Sequence, residues 1–378
     1  MGKKKILLVV NAFSIGGTIV SLYSLLSMLD SQKLEVDIFA RQRSGDYRDH
    51  MPNCNILAEN LWLSHSVYNK GVFCRYFSLL LLCARKAFEK VGIDLYKVYN
   101  YIGGKQIGTD KYDAVIAYDE TLPRFISYLP AKKRISWIHC DYRRHALGND
   151  ESKYYNKIDT IVCVAESMRN VFIKIYPQYT SKTLAIHNII NVEDIVKKSK
   201  EKVDDPRFQS QSNGKGAPFT LVSCGRLDPV KQFSLIPAIA SKIKKATDKA
   251  FRWYIIGEGE DRKAIEQAII EYDMQNNVIL LGKKSNPYVY MAKSDVYVCT
   301  SYSEAYSLVI NEARALQIPV VCNTYESAYE SVAEGRDGYI VPIEHMHETL
   351  LKLMQHPFSI DRCYIENNEN LNKVYSLF

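Results

Sequence analysis

Two basic side chains in the second half of the sequence have the types and spacing that suit anion chemistry. Arg226 and Lys231 stand five residues apart, directly after the apolar segment Phe219–Ser223. A planar guanidinium and a compact ammonium at that spacing can together neutralise a diphosphate. The plainer interpretation is two solvated surface cations. A position at the carboxyl end of a predicted strand favours the anion-binding interpretation.

Two acidic side chains follow a later apolar segment, Val296–Cys299. Glu312 has apolar neighbours on a predicted helix, and a carboxylate in such surroundings is costly unless it is hydrogen-bonded. Ribose hydroxyls would satisfy it, because a carboxylate accepts two O–H bonds. Glu304 precedes the same helix. The alternative is that both glutamates are charges on a helix surface.

Two features of the first half point to a ligand as well. Gly16 and Gly17 open a helix after the first predicted strand, and amides without a neighbouring Cβ can approach a phosphate closely. The GxGxxG pattern is absent, which disfavours a nicotinamide dinucleotide site. His139 follows Trp137-Ile at another strand end. The alternatives are a plain tight turn and a hydrogen-bonded structural histidine.

The elements that must position these residues alternate along the chain as short strands and amphipathic helices. Strands are predicted in the first half at Ile6–Val10, Leu34–Ala40, Ala114–Ala117, Arg134–Ile138, Thr160–Val164 and Thr183–Ile186. Those of the second half are Phe219–Ser223, Trp253–Ile256, Val278–Leu281, Val296–Cys299, Pro319–Cys322 and Tyr339–Val341. Continuous apolar runs are typical of parallel strands buried on both faces. We therefore predict two doubly wound α/β domains that face each other across a cleft.

The length of 378 residues suits two domains, which we predict at 1–190 and 191–360. The tail 361–378 is predicted to be helical and to return to the first domain. Residues 197–218 are polar and lack periodicity, which predicts a linker or a long surface loop. An aromatic and basic stretch at 66–105 predicts an amphipathic helix that either lies on a membrane or belongs to the core.

Composition excludes several classes of protein. With 47% hydrophobic residues the chain is not generally disordered, and its longest apolar run, Tyr76–Ala84, covers about half a bilayer. Nine cysteines without a CxxC pair argue against a disulfide framework or a zinc site. The net charge is +9 over residues 1–190 and −2 over the rest. This asymmetry indicates either an anionic partner for the first half or a solvated basic surface.

Taken together, these residues resemble the family-4 glycosyltransferases of the GT-B fold, particularly bacterial enzymes that build capsule, exopolysaccharide or lipopolysaccharide. The most specific element is the pair Glu304 and Glu312, with seven residues between them. The supporting motifs are Gly225-Arg226 with Lys231, Ile256-Gly257-Glu-Gly259, Leu281-Gly282, Asn286-Pro287-Tyr288, Ala333-Glu-Gly335-Arg-Asp-Gly338, Gly16-Gly17 and Trp137-Ile-His139.

The resemblance implies a metal-independent hexosyltransferase without a cofactor, which transfers a sugar with retention from a nucleotide donor, expected to be a UDP sugar, to a growing lipid-linked glycan. The sequence pattern itself predicts a cytoplasmic protein, and the basic first half with the stretch at 66–105 suggests a peripheral position on an anionic membrane; no nucleic-acid partner is expected. Two fixed cations and helix N-termini give the metal independence a physical basis, because they can neutralise the leaving diphosphate. A nucleotide-sugar epimerase of the same architecture and a non-catalytic sugar-nucleotide-binding protein remain alternatives.

The resemblance also implies a role for each residue of the site. Arg226 and Lys231 would bind the diphosphate, Glu312 the ribose and Glu304 the transferred sugar, which His139 would orient. The remaining donor contacts would come from the backbone amides of Ser307 and Leu308, the backbone of Lys283, and the loop of Gly16 and Gly17. Two departures from the family pattern are Ala305-Tyr306 in place of Gly-Phe and Lys231-Gln232 in place of Lys-Gly. Neither departure removes a charged group, so we expect activity.

Overall fold

A computed structural model describes residues 2–14, 16–64, 76, 80, 83–84, 87–88, 95–145, 152–208, 218–357, 360, 365 and 367–378. The chain divides into two compact units. The first comprises Met1–Ile189 together with Asn367–Phe378, and the second comprises Ile190–Glu366.

The first unit is built on a seven-stranded sheet whose strands all run parallel. Its strands are β1 (Lys4–Val10), β2 (Leu34–Ala40), β3 (Asn55–Ile56), β4 (Ala114–Ala117), β5 (Arg134–Ile138), β6 (Thr160–Cys163) and β7 (Thr183–Ala185). Their spatial order is β3-β2-β1-β4-β5-β6-β7, so the chain moves outward from β1 in both directions. That reversal of direction creates a switch point between β1 and β4, where α/β sheets bind ligands.

The described helices of the first unit connect these strands or cover them. They are α1 (Gly17–Met28), α2 (Leu95–Ile107), α3 (Pro123–Ile126), α4 (Tyr142–His145), α5 (Ser152–Tyr155), α6 (Glu166–Ile175) and, from the end of the chain, α14 (Asn367–Tyr375). The last helix is bonded to this unit, because the Tyr375 hydroxyl accepts a hydrogen bond from Asp30 N at 2.8 Å. Asn370 accepts another from the backbone of His187.

The second unit is built on a six-stranded parallel sheet in the order β10-β9-β8-β11-β12-β13. The strands are β8 (Phe219–Cys224), β9 (Phe251–Ile256), β10 (Val278–Gly282), β11 (Val296–Cys299), β12 (Val320–Cys322) and β13 (Gly338–Ile340). The helices are α7 (Val192–Ser199), α8 (Ile236–Ala246), α9 (Arg262–Glu271), α10 (Tyr288–Met291), α11 (Leu308–Ala315), α12 (Ala328–Ser331) and α13 (Met346–Gln355). Here the switch point lies between β8 and β11.

The sheet of the second unit has an apolar layer on each face, as its strand sequences require. Along β9, Trp253 and Ile255 belong to one buried cluster, and Tyr254 and Ile256 belong to the other. Successive side chains of a strand point to opposite faces, so a continuous apolar run fills both layers. Helices α8, α9 and α13 cover the first layer, and α10, α11 and α12 cover the second.

The twelve strands predicted from apolar runs are confirmed, with ends that differ by no more than two residues. The strand that sequence analysis missed is β3, which has only two residues and carries no apolar run. Its place at the edge of the sheet explains this, because an edge strand of that length buries little.

The interpretation of 197–218 as a linker or surface loop is wrong for 197–199, which belong to α7, and holds for 200–208, which form no helix or strand and are mostly exposed. Helix α7 continues to Ser199, and the chain then packs against the second unit, where Phe208 is buried against Tyr254 and Tyr290. Residues 209–217 lie outside the described residues. In the predicted amphipathic helix at 66–105, only the part from Leu95 is a continuous described helix, and most of 65–94 lies outside the described residues.

Within the described part of the chain, every helix is too short or too polar to span a bilayer.

Candidate functional site

The loop after β8 is shaped by a capping aspartate. Asp228 accepts hydrogen bonds from the backbone amides of Val230 and Lys231, which fixes the short turn Pro229–Lys231. The loop after β11 is bonded to this turn, since the Thr300 hydroxyl donates to the Lys231 carbonyl at 2.6 Å. Because β8 and β11 are neighbours in the sheet, these two loops lie side by side. Lys231 is therefore held at the switch point.

The pairing of Lys231 with Glu304 is the central contact of this site. The Lys231 ammonium lies 2.6 Å from Glu304 Oε1, and the Ser301 hydroxyl donates to the same oxygen at 2.6 Å. Both charged side chains are largely buried, with 18% and 14% of their surfaces exposed. Burial lowers the pKa of Lys231, but the adjacent Glu304 carboxylate, together with Cys299 and Asp228, outweighs this effect and raises the pKa above its ordinary value. Lys231 is thus a fixed cation at neutral pH.

The backbone of the Glu304 loop is fastened from the neighbouring strand end. Ser327 donates its hydroxyl hydrogen to the Glu304 carbonyl at 2.7 Å, and the Asn323 amide donates to the Ser301 carbonyl. These hydroxyl and amide side chains hold the loop without using its charges. The carboxylate of Glu304 is therefore pre-positioned at the end of β11.

Helix α11 begins directly after this loop. Ser307 is its N-cap and accepts a hydrogen bond from Ile310 N, so the helix begins at Leu308. The first amides of a helix have no partner within it and carry the positive end of its dipole. An anion placed beside Ser307 and Leu308 would meet these donors.

Glu312 is buried on α11, with 8% of its surface exposed. Its Oε1 accepts a hydrogen bond from the Tyr288 hydroxyl at 3.0 Å. Burial raises the pKa of Glu312 to about 7, although the Tyr288 hydrogen bond and the charge of Lys198 act in the opposite direction. The charges of Glu304 and Glu312 both add to the burial that raises the pKa of Tyr297 on β11, so the two glutamates flank one strand end.

Arg226 and Lys283 occupy more open positions. Arg226 is on the same loop as Lys231, but its side chain is 79% exposed and its Nε lies 2.9 Å from Asp228 Oδ2. Lys283 is exposed just after β10. The structure thus brings Lys231 and Glu304 into direct contact, while Arg226 stands at the rim of the same strand ends.

The glycine motifs of the second unit bring backbones into direct contact. A Cβ on Gly257 would lie 1.8 Å from the Gly225 carbonyl oxygen, and a Cβ on Gly259 would lie 2.2 Å from that of Leu227. Only glycine permits this approach. The loop after β9 therefore supports the loop that carries Arg226.

The two departures from the family pattern have different structural consequences. Gln232 adopts a left-handed conformation with φ of 51°, which explains why glycine is usual at this position. Its Oε1 is buried and has no hydrogen-bond partner among the described residues. Tyr306 directs its hydroxyl to Asn311 Oδ1 at 3.5 Å, and the same oxygen accepts from Arg314 at 2.9 Å. The extra hydroxyl is therefore directed at the α11 network.

The first unit holds Gly16, Gly17 and His139 at the carboxyl ends of β1 and β5. Gly16 is the N-cap of α1, Gly17 is its first residue, and the space around a Cβ on Gly16 is open. The backbone amide of His139 donates to Glu120 Oε2 at 3.2 Å, and its ring lies 4.6 Å from that of Tyr118.

The side chain of His139 carries an unusual polar atom. Its Nε2 is buried and makes no hydrogen bond to the described residues. Burial lowers the pKa of His139 to about 3, so the imidazole is neutral. A buried nitrogen of this kind is costly unless a ligand satisfies it. This observation favours a binding role over the structural alternative.

Sequence analysis missed the residues that hold the predicted site residues in place. These are Asp228, Thr300, Ser301, Asn323 and Ser327 around Lys231 and Glu304, Tyr288 beside Glu312, and Glu120 beneath His139. The available signal was positional, since Thr300 and Ser301 follow β11 directly. Residue type alone did not distinguish them from ordinary loop residues.

No group of three or more His, Cys, Asp and Glu side chains among the described residues could hold a metal ion. The groups that could meet an anionic ligand in the second unit are Lys231, Arg226 and the first amides of α11.

The chain is similar to known proteins along both its sequence and its fold. Residues 204–370 match the family of glycosyl transferases group 1. A Campylobacter jejuni enzyme is 27% identical over 228 residues, which cover 59% of this chain and 58% of that protein. Its name is N-acetylgalactosamine-N,N'-diacetylbacillosaminyl-diphospho-undecaprenol 4-alpha-N-acetylgalactosaminyltransferase. The lipopolysaccharide core biosynthesis glycosyltransferase LpsD of Rhizobium meliloti is 24% identical over 61% of this chain and 60% of its own length. These matches therefore span somewhat more than half of each relative.

A solved structure resembles the whole chain. Anabaena HepE in complex with UDP and glucose superimposes with a TM-score of 0.66, and the match covers 99% of this chain and 93% of HepE at 16% identity. Its likeness concerns the fold, which is GT-B with two parallel-sheet α/β domains. Residues 204–370 thus match the group 1 glycosyl transferases in sequence, and the chain as a whole has the GT-B fold.

Proposed function

We propose that this chain is a retaining glycosyltransferase that moves a sugar from a UDP-sugar donor to a growing, lipid-linked bacterial surface glycan. The observation that carries the proposal is the buried ion pair of Lys231 and Glu304 beside the first turn of α11. A fixed cation, a fixed carboxylate and free helix amides at one switch point suit the cleavage of a sugar–diphosphate bond.

The leaving nucleoside diphosphate gains negative charge as the glycosidic bond breaks. In this proposal Lys231 and the amides at Ser307 and Leu308 meet that charge, and Arg226 adds a guanidinium from the rim. Interactions that strengthen as charge develops accelerate the chemical step rather than only binding the donor. Because these groups are cations and dipoles of the protein, we also propose that the reaction needs no metal ion.

The carboxylates and the histidine act on the other parts of the donor. Glu304, fixed by Lys231 and Ser301, stabilises positive charge at the anomeric carbon. Glu312 accepts hydrogen bonds from the ribose hydroxyls. The neutral imidazole of His139 has a buried nitrogen available for a sugar hydroxyl. The backbone of Lys283 meets the base, and the loop of Gly16 and Gly17 approaches the phosphates.

Two named relatives support the finer parts of the proposal. HepE was solved with UDP and glucose, which supports a UDP sugar as donor. The Campylobacter jejuni relative is named for a diphospho-undecaprenol acceptor, which supports a lipid-linked glycan here.

A thermal-shift screen against nucleotide sugars, followed by transfer assays with EDTA present, tests the proposal. A donor at 100 times its Kd should stabilise the fold by about 2.7 kcal/mol. We expect one UDP sugar to raise Tm and to support transfer to a short polyprenyl-diphosphate-linked glycan. Epimerisation of the donor without acceptor, or binding without transfer to any glycan, would contradict it. Loss of activity in EDTA would contradict metal independence alone.

We also propose that the first unit binds an anionic membrane, where a lipid-linked acceptor is located. Leu61, Val98 and Tyr101 expose 42%, 47% and 55% of their surfaces, and the first 190 residues carry a net charge of +9. Exposed apolar side chains on a unit of net positive charge favour an anionic interface. Liposome flotation tests this proposal. Flotation that does not depend on lipid charge or salt concentration would contradict it.

A further inference from the structure

We propose that Tyr288 is a positioning residue of the nucleotide site, whose hydroxyl holds the Glu312 carboxylate in the orientation and ionised form that ribose hydroxyls require. This inference rests on the function proposed above. Its geometric basis is the 3.0 Å hydrogen bond from the Tyr288 hydroxyl to Glu312 Oε1. The proposed role of Tyr288 predicts that the affinity for the nucleotide depends on pH in the neutral range.

Tyr288 is itself held in place from two sides. Asn286 Oδ1 accepts a hydrogen bond from Tyr288 N at 3.1 Å, and its amide nitrogen donates to the Lys198 carbonyl and to Glu201 Oε2, each at 2.9 Å. Asn286 thereby fastens the start of α10 to the end of α7. The hydroxyl of Tyr288 is consequently aimed at α11 by contacts that do not include Glu312.

The ring of Tyr288 is packed as well as hydrogen-bonded. It lies against the small apolar cluster of Ile190, Ile195 and Ala315, which joins α7 to α11. A tyrosine with a fixed ring loses little conformational freedom when its hydroxyl donates. The contact with Glu312 is therefore pre-organised before any ligand arrives.

The carboxylate of Glu312 meets titratable or charged groups from four elements. These are Tyr288 on α10, Lys198 on α7, Cys224 on β8 and Tyr297 on β11. The Lys198 ammonium also forms an ion pair with Asp194 at 2.6 Å, and this pairing weakens its electrostatic attraction to the Glu312 carboxylate. Of the four, Tyr288 donates a hydrogen bond from its hydroxyl to Glu312. It is the largest influence that lowers the pKa of Glu312 against the effect of burial.

The pH dependence follows from this balance. Burial raises the pKa of Glu312 to about 7, so near neutrality a part of the population holds a proton on this carboxyl. Ribose hydroxyls donate best to the ionised form. Nucleotide binding should therefore release a proton below pH 7, and the affinity should rise as pH increases from 6 to 8.

Titration calorimetry with UDP, GDP and ADP tests the inference. Measurements at pH 6.5 in two buffers with different protonation enthalpies report the proton released on binding. Wild-type protein should release a fraction of a proton more than E312Q does, because the variant reports only the proton lost by the terminal phosphate of the nucleotide. In Tyr288→Phe, the loss of a hydrogen bond to a charged group should raise the pKa of Glu312 by about one unit or more.

The Tyr288→Phe variant should bind the nucleotide about tenfold more weakly than wild type at pH 7 and recover most of that loss above pH 8.5. The matched control is Tyr290→Phe, on the same helix, whose hydroxyl is bonded to Asp204 instead. It should follow the wild-type pH profile. Asn286→Ala keeps the tyrosine but removes the side chain that holds it. This variant should shift the pH midpoint of nucleotide binding in the same direction as Tyr288→Phe, but by a smaller amount.

Three results would overturn the inference. An equal loss of affinity at every pH in Tyr288→Phe would mean that the residue is only structural. A nucleotide affinity of the wild type that does not change from pH 6 to 8.5 would also overturn the inference, but it would leave the proposed function intact. Wild-type protein that binds none of the three nucleotides would overturn the proposed function together with the inference. If Tyr288→Phe does not fold, Asn286→Ala replaces it in the test. A pH midpoint of nucleotide binding in Asn286→Ala equal to that of wild type would then overturn the inference.

Discussion

The two units treat the polar groups of their predicted site residues differently. In the second unit, the predicted site residues are satisfied within the unit itself, as Lys231 is bonded to Glu304 and Glu312 to Tyr288. In the first unit, the buried Nε2 of His139 has no hydrogen-bond partner among the described residues. A satisfied network is rigid before the ligand binds, whereas an unsatisfied nitrogen gains its partner from the ligand. The second unit is thus pre-organised, and the first retains an unmet hydrogen bond.

The largest effect is expected for Lys231→Ala. It removes the buried cation that meets the leaving diphosphate and leaves Glu304 without its ion pair, so transfer should fall about 1,000-fold. Initial rates at saturating donor measure the effect. The control is Lys242→Ala, at an exposed lysine on α8, and its rate should stay within about threefold of wild type. Unchanged transfer by Lys231→Ala would refute the role of the ion pair.

A comparable loss of turnover is expected for Glu304→Gln. The amide keeps the shape of the side chain but not its charge, so kcat should fall about 100-fold or more with a modest change in donor affinity. Rates and calorimetric donor affinity, measured separately, check this split. Glu344→Gln, on an exposed residue, serves as the control. Parallel losses of affinity and kcat would indicate a binding role instead.

In the first unit, His139→Phe should separate function from stability. The aromatic contact with Tyr118 is retained and the unpaired nitrogen is removed, so transfer should fall about 10- to 100-fold while Tm stays equal or rises. Transfer rates and thermal melts measure the two effects. A fall in Tm with unchanged transfer would show that His139 is structural. His356→Phe, in an exposed position, is the matched change.

The same variant has a predicted pH signature. The folded pKa of His139 is about 3 and lies below the ordinary value of 6.5, so stability is complete above pH 6.5 and falls as pH decreases toward 3. In this range the histidine lowers the free energy of unfolding by about 1.4 kcal/mol for each pH unit of acidification, and His139→Phe should remove this dependence. Urea unfolding at pH 5 and pH 7.5 measures the difference. An unaltered slope would contradict a buried, neutral imidazole.

The smallest effect is expected for Gln232→Gly. Glycine relieves the left-handed backbone and removes the buried Oε1, so the free energy of unfolding should rise by about 1 kcal/mol. Thermal or urea unfolding measures it. Gln317→Gly, at another glutamine with positive φ, isolates the backbone part of the gain. A lower stability of Gln232→Gly would show that its side chain contributes more than its conformation costs.

The sequence by itself determined the elements and the types of group in the site. Runs such as Val296–Cys299 predict buried strands because burial on both faces requires every residue to be apolar. The same reasoning missed β3 and did not predict that Phe208 is buried, since two residues carry no period and a single aromatic residue gives no pattern. It also predicted the charged residues of the candidate site, because cations and carboxylates at strand ends lie where α/β sheets bind ligands.

Tertiary structure alone decided which of these residues touch. Lys231 and Glu304 are 73 positions apart, and they meet because β8 pairs with β11 rather than with β10. Tyr288 reaches Glu312 because α10 and α11 cover the same face of that sheet. Local periodicity reports only whether a side chain is buried. The neighbours that bury it are set by the order in which strands assemble, and that order leaves no mark within any one segment.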